Sequence, residues 1–586
     1  MRNYFSLHGF RKRLASADSL FSLSALGLVS GLGTGLIVLA FRLSFELPQK
    51  ALLPALDGDN NVENYEALSH ASHFLLPLAG ALLLGFLFHF LKPEERRVGV
   101  AHVLERLNQF HGYLPIKNFV IQFVSGSIAI IFGHSAGREG AAIHLGSAFS
   151  SIIGQRLALP NNSIRTLVGC GTAAAISASF NTPIAGVIFA VEVVLLEYTM
   201  SSIIPLIVAS VTGALVTRAI YGHEPAFAVP DFTLSNFHEV PYLIATGVIV
   251  GGLATLFSKN VYFVAQRSQH WNVMTRFALA GLIAGAGAII APQIMGIGYD
   301  TVNQTLLGQV PLALLVLITL VKLSVTSTAV GLGLPTGIIG PTLVIGATAG
   351  ASIGIIGLSL IPNEASNSGY YAMLGMGAMM GATLRAPLAA LMALIELTAN
   401  TQIILPGMLV IVVANLICNG FFRSQSIFHS LLAVQGITHT ASPLEQLLDR
   451  VGIYSIIETN IARLPNVVSG QNLSMLKNQN APLLIIEQDQ QPLGVCEFHH
   501  AETVLAQLDG NPQLSINLIN SLPIQLIKPM SPQATLREAL LIMDQEQVNW
   551  VFVSPPQKNP TDLNYKKIYG VVSRQAVVDY YSRHVN

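Results

Sequence analysis

Charge is what this chain has least of. Its 31 Lys and Arg and 31 Asp and Glu make up 11% of 586 residues, against roughly 25% in soluble domains. The two signs cancel to a formal net charge of zero, which leaves no basic footprint for a nucleic acid. Cysteine is almost as scarce. Cys170, Cys418 and Cys496 lie too far apart for a disulfide framework or a metal set, and each reads as a small core residue. His134, His144 and His429 have no Cys, His or Asp partners at ligand spacing, and no Ser–His–Asp set is visible. Neither a metal centre nor an enzyme is expected.

What is abundant points the other way. Hydrophobic residues make up 52% of the chain and glycine occupies 50 positions, a composition that suits closely packed membrane helices. Residues 20–40 form an uncharged apolar run long enough to cross a bilayer. It follows Arg11–Lys12–Arg13, which predicts a cytoplasmic N-terminus. A train of further apolar segments runs from about His73 to Ile417. Several of them, such as Ala141–Ile153 and Leu388–Leu397, are too short to span about 30 Å alone. Helices that stop inside a membrane must bury or hydrate their ends in protein-lined cavities, where transporters place binding sites. After about residue 437 the pattern turns to mixed polar and apolar, which reads as a soluble domain.

The membrane part matches itself. "GREGAAIHLGSAFSSIIG" (Gly137 to Gly154) aligns with "GIIGPTLVIGATAGASIG" (Gly337 to Gly354), with glycines coinciding at 137/337, 140/340, 146/346 and 154/354. Downstream, "NTPIAGVIFAVEV" echoes "RAPLAALMALIEL", setting Pro183 against Pro387 and Glu192 against Glu396. Two collinear matches predict a duplication with halves of roughly 200 residues, of which the inverted pair is the usual membrane form. In both halves a glycine-rich turn leads into a helix whose first N–H groups lack intrahelical acceptors. Two such ends converging at mid-membrane would form a nest for an anion without a fixed cation.

On these residues the chain resembles the CLC family of chloride channels and chloride/proton antiporters, over roughly residues 15 to 435. The family signatures appear as Gly137–Arg138–Glu139–Gly140–Ala141 and as Gly337–Ile338–Ile339–Gly340–Pro341. The tail looks like the family's paired CBS modules. The resemblance implies an all-α polytopic membrane protein with an inverted internal repeat, followed by a smaller soluble α/β CBS-pair domain. The expected divisions are an N-terminal segment 1–14, repeat halves 15–230 and 231–437, and a CBS pair 438–586, with modules near 450–515 and 520–586. It further implies a homodimer in a lipid bilayer, in a bacterial inner membrane with a cytoplasmic N-terminus and tail. Chloride or a similar small anion is the implied permeant ligand, with no cofactor, metal or nucleic acid.

By the resemblance, Glu139 is the gating carboxylate, a group that occupies the anion's own nest until it is protonated or displaced. Gly137, Arg138 and Gly140 surround it, and the Ile338 and Ile339 backbone N–H groups hold the central anion. Arg138 is expected to face a neighbouring carbonyl or an aqueous vestibule. Phe428 stands at the pore-lining tyrosine and Val98, in "RVGVA", at the first signature's serine; two hydroxyl donors are missing. At the family's internal proton relay this chain has Val193 in place of a carboxylate, beside Glu192. Valine carries no proton, so passive chloride conduction is the leading expectation. The alternative is an antiporter with a non-standard internal proton route, Glu192 and Glu197 being nearby carboxylates; a weaker one is an unrelated inverted-repeat solute transporter. Glu192 is expected to be a structural carboxylate that accepts helix N-terminal or side-chain hydrogen bonds, a scaffold role that its echo Glu396 supports. In the tail, Ser573 is present but Ala576 stands where a nucleotide-binding Asp is expected, which favours a structural or dimerising role over adenine-nucleotide binding.

Overall fold

A computed structural model describes residues 20–53, 64–196, 200–227, 239–360, 367–437, 448–449, 451–469, 481–506, 515–555, 565 and 567–585. The chain divides into two compact units, one formed by Leu20–Leu157 and Ile164–His439, the other built on Thr440–Asn586. The N-terminal segment 1–14, Glu197 and the tail stretch "SMLKNQN" lie outside the described residues.

Among the described residues, the regular elements of the larger unit are helices. Its first elements are α1 (Leu20–Leu52), α2 (His70–His89), α3 (Gly99–Gln109), α4 (Ile116–Ile131), α5 (Glu139–Arg156), α6 (Asn161–Phe180), α7 (Pro183–Phe189) and α8 (Met200–Tyr221). There follow α9 (Val240–Ser268), α10 (Val273–Ile290), α11 (Tyr299–Leu306), α12 (Leu312–Gly331), α13 (Ile339–Leu360), α14 (Ser368–Leu384), α15 (Pro387–Thr398), α16 (Ile404–Asn415) and α17 (Ile427–Val434). Among the described residues, eight helices are long and apolar enough to cross a membrane, while Ile116–Ile131, Pro183–Leu195 and Pro387–Thr398 are shorter apolar helices. At 33 residues, α1 is about 50 Å long, more than a bilayer core, so it crosses with tilt. It is sided by residue size. Leu28, Leu32 and Leu36 are exposed, while Gly27, Gly31 and Gly35 are buried. A Cβ on Gly27 would come within 2.7 Å of the Pro205 carbonyl oxygen on α8, and one on Gly35 within 2.9 Å of Val216. With lipid as apolar as leucine, close backbone packing of this kind is what holds such helices together.

The second matched pair of segments has matched backbones. Asn181 and Arg385, each two residues before the proline that opens the next helix, take left-handed φ values of 62° and 59°. Pro183 and Pro387 then occupy the first helical positions, where the missing N–H has no intrahelical partner to lose. The chain leaves α7 through a π-helical turn, Ala190–Leu195.

The smaller unit holds a six-stranded mixed sheet. Its strands are β1 (Ile461–Pro465), β3 (Leu483–Gln488), β4 (Gln491–Glu497), β6 (Gln525–Met530), β7 (Trp550–Val553) and β8 (Gly570–Ser573), in that spatial order, with β2 (Val467–Ser469) and β5 (Ser515–Asn517) paired separately. One pattern occurs twice. β1 runs parallel to β3, which is antiparallel to β4; β6 runs parallel to β7, which is antiparallel to β8. β4 and β6 join the halves through the Gly494–Leu526 and Val495–Gln525 pairs. Both faces of β3 are covered, Leu484 and Ile486 by one apolar cluster and Leu483 and Ile485 by another. Helices Phe498–Ala506 and Arg574–Val585 follow β4 and β8. The Ser573 hydroxyl accepts the Ala576 N–H at 3.0 Å, so this serine caps a helix. All three cysteines are buried and unpaired, and burial pushes the Cys496 thiol up.

Candidate anion-binding site

The two glycine-rich turns meet. Gly137 N–H donates to the Gly337 carbonyl at 2.8 Å, and Gly337 N–H donates back to Gly137 at 3.1 Å. Only glycines allow this approach. A Cβ on Gly140 would stand 2.9 Å from the Gly337 Cα, and one on Gly137 would stand 2.9 Å from the Gly340 nitrogen. The bridge brings the N-termini of α5 and α13 together, each with first-turn N–H groups and the positive end of its dipole.

Glu139 opens α5 and has no solvent exposure. Its Oε2 accepts the Gly340 N–H, in the first turn of α13, at 3.2 Å. Its Oε1 accepts the Tyr299 hydroxyl at 2.6 Å. The Arg138 Nε lies 3.8 Å from Oε1, while Arg138 Nη2 donates to the Ser179 carbonyl at 3.0 Å. Glu139 itself comes from the first half of the chain, and both groups that donate to its carboxylate, Gly340 and Tyr299, come from the second.

A cavity of about 490 Å³ is lined by Val98, Gly99, Gly140, Gly337, Ile338, Ile339 and Phe428 among others. A second, of about 350 Å³, is lined by Arg138, Phe180, Tyr299 and Asn303 with Arg42 and Arg218. Glu139 stands between their nearest walls, with Arg138 facing one cavity and Gly140 the other. Val98, Gly140, Ile338, Ile339 and Phe428 thus line one cavity although they are far apart in the chain, while Arg138 lines the other. Val98 is the residue before α3, and its side chain offers no cap; Gly99 N–H is instead bonded by Gln122 Oε1 at 2.6 Å. Phe428, on α17, is buried.

Glu192 and Val193 belong to the walls of neither cavity. Val193 is buried on the π-helical turn. Glu192 accepts the Leu388 and Ala389 N–H groups at 3.3 and 2.8 Å, at the start of α15. Glu396 does the reverse, accepting the Ile184 and Ala185 N–H groups at 3.0 and 2.8 Å at the start of α7. Each carboxylate caps the other's partner helix.

Two groups at this site carry no sequence signal. Tyr299 sits in "GIGYD", which has no mark of an anion ligand. His102 Nδ1 lies 2.9 Å from His144 Nε2, giving His144 a histidine neighbour 42 positions away that spacing along the chain does not reveal. Among the described residues no group of three or more metal-ligating side chains is found.

Helices that end in mid-unit, two glycine turns joined back to back, and a buried carboxylate on converging helix N-termini define an anion-transporting membrane protein. The voltage-gated chloride channel family model matches residues 80–419, and the chain belongs to that family. A relative from Ralstonia nicotianae described as a ClcB-like chloride channel protein is 31% identical over 397 residues, 66% of this chain and 91% of that protein. The H⁺/Cl⁻ exchange transporter ClcA of Yersinia pestis is 26% identical over 414 residues, 69% of this chain and 86% of the transporter. In fold, the chain is similar to a eukaryotic CLC transporter, with a TM-score of 0.60 at 17% identity, covering 96% of this chain and 99% of that one. The protein is an integral membrane transporter of chloride-type anions, and the family is not one of enzymes.

Proposed function

We propose that the protein exchanges chloride for protons, with Glu139 as the gate that blocks the anion path when ionised and accepts the proton. The observation that carries this is the Glu139 carboxylate itself. It has no solvent exposure, stands between two cavities, and takes an N–H donor at the α13 terminus where an anion would bind. One carboxyl that both fills the anion's place and carries the proton couples the two ions. The ClcA relatives, named as H⁺/Cl⁻ exchangers, favour exchange over the passive conduction that the residues at 192 and 193 suggest. A second reading, the gated channel, keeps a specific observation in its favour. Val193 cannot carry a proton, and both Glu192 oxygens are taken by helix N–H groups. Under the exchange reading the inner proton route therefore runs without a carboxylate at 193. Proton uptake by liposomes carrying the purified protein, driven by a chloride gradient alone, tests the choice.

In this account the Ile338 and Ile339 backbone N–H groups hold the central anion. Gly137 and Gly140 keep the turns close, and Arg138 supplies positive potential from the 350 Å³ cavity. Val98 and Phe428 line the path without hydroxyl donors. The protein works as a homodimer in a bacterial inner membrane, its N-terminus and tail cytoplasmic and its membrane part composed of two inverted halves. The tail acts as a CBS pair that steadies the dimer and binds no adenine nucleotide. Support for this is the doubled parallel–antiparallel strand pattern, and a Ser573 hydroxyl already engaged as a cap.

A further inference from the structure

We propose that Tyr299 is the latch of the Glu139 gate, a positioning residue whose phenol O–H holds the carboxylate in its blocking position and must let go for the path to open. This rests on the reading of Glu139 as the gate. Of the two bonds to the carboxylate, the phenol's, at 2.6 Å, is shorter than the Gly340 N–H bond at 3.2 Å. A neutral O–H donating to an ionised oxygen is a charge-assisted bond, about twice as strong as a neutral one.

The ring is bounded by backbone and side chains from several elements. Gly298, in the left-handed region at φ 83°, turns the chain into α11, with Tyr299 at its first position. The loop before it is tied to the α5 turn, because Ala136 N–H donates to the Gly296 carbonyl at 3.4 Å and Gly296 N–H to Gly133 at 3.3 Å. Phe227 meets the ring edge-on at 5.3 Å and Phe180 stacks at 6.3 Å. The Arg138 guanidinium lies 5.2 Å from the ring centroid. Tyr299 also lines the 350 Å³ cavity, so the latch sits at the boundary between that cavity and the gate. Val98 and Phe428 lack hydroxyls, and the Tyr299 O–H acts on the carboxylate.

The test is a cycle of four proteins reconstituted in liposomes: the natural chain, Tyr299→Phe, Glu139→Ala, and the double variant. The readout is chloride flux per folded protein. Tyr299→Phe keeps the ring and removes only the donor. It should raise flux about tenfold while Glu139 is present, near the lower end of what a hydrogen bond to a charged group is worth. In the Glu139→Ala background the same change should alter flux less than twofold, because nothing is left to latch. A Tyr299→Phe effect of equal size in both backgrounds, or no rise in the first, overturns the latch. If Glu139→Ala alone fails to raise flux, the gate reading falls first, which separates the two failures.

Discussion

Glu139 answers to two physical accounts, and they predict opposite results. If it is the gate, carboxylate and chloride compete for the same few N–H donors, and their like charges repel strongly in a poorly solvated site. Glu139→Gln then mimics the protonated gate, raises chloride flux, and flattens its dependence on external pH. If Glu139 merely balances Arg138, its loss removes that cation's nearby counter-charge at membrane depth, at a cost of about 3–5 kcal/mol. Yield and flux would then fall together. Flux per folded protein at several pH values separates them: unchanged pH dependence in well-folded Glu139→Gln rejects the gate. Much of this site was legible in the sequence. A charged pair in an apolar, glycine-rich run stands out, and the second turn matches it residue by residue. Arg138, read from the sequence as facing a carbonyl or a vestibule, donates to the Ser179 carbonyl and lines the 350 Å³ cavity. Tyr299 was not legible, because a tyrosine 160 positions from Glu139 becomes its partner only through the Gly133–Gly296 loop pairing.

At the scale of elements, the two short helices α7 and α15 depend on each other's carboxylates. Both begin with proline and no side-chain cap of their own, so their free N–H groups need an acceptor. Glu396 and Glu192 supply it across the pair. Glu396→Gln keeps the shape but removes the charge from two bonds. It should lower stability by about 1–2 kcal/mol, discounted for partial exposure, seen as a lower unfolding temperature in detergent with chloride flux per folded protein retained. An unchanged unfolding temperature would contradict this role. The sequence suggested a scaffold role for Glu192, through helix-terminal or side-chain hydrogen bonds, because Glu396 echoes it at the same offset from a proline. That each glutamate caps the other's helix is a fact of tertiary packing, which no local pattern encodes. The short lengths of α7 and α15 were readable for the same reason as their function: about 30 Å of hydrocarbon cannot be crossed by 12 residues.

At the scale of the molecule, the membrane unit contains every residue given a role in the anion path, and the tail contains none. Removing the tail after about residue 440 should leave chloride flux per folded protein intact and reduce yield or dimer stability. Loss of flux in well-folded truncated protein would contradict that division, as would tight, saturable ATP binding by the full-length protein. The tail's α/β class was legible from its resemblance to paired CBS modules, whereas the joining of its strands into one six-stranded sheet was not. The central claim, that chloride movement and proton movement are coupled, is tested most directly by the reversal potential of the reconstituted protein under opposed chloride and proton gradients. The account predicts a reversal potential displaced from the chloride equilibrium potential and shifting with the proton gradient, with both effects lost in Glu139→Gln. A reversal potential that stays at the chloride equilibrium value whatever the proton gradient would contradict exchange and leave the protein a passive chloride channel.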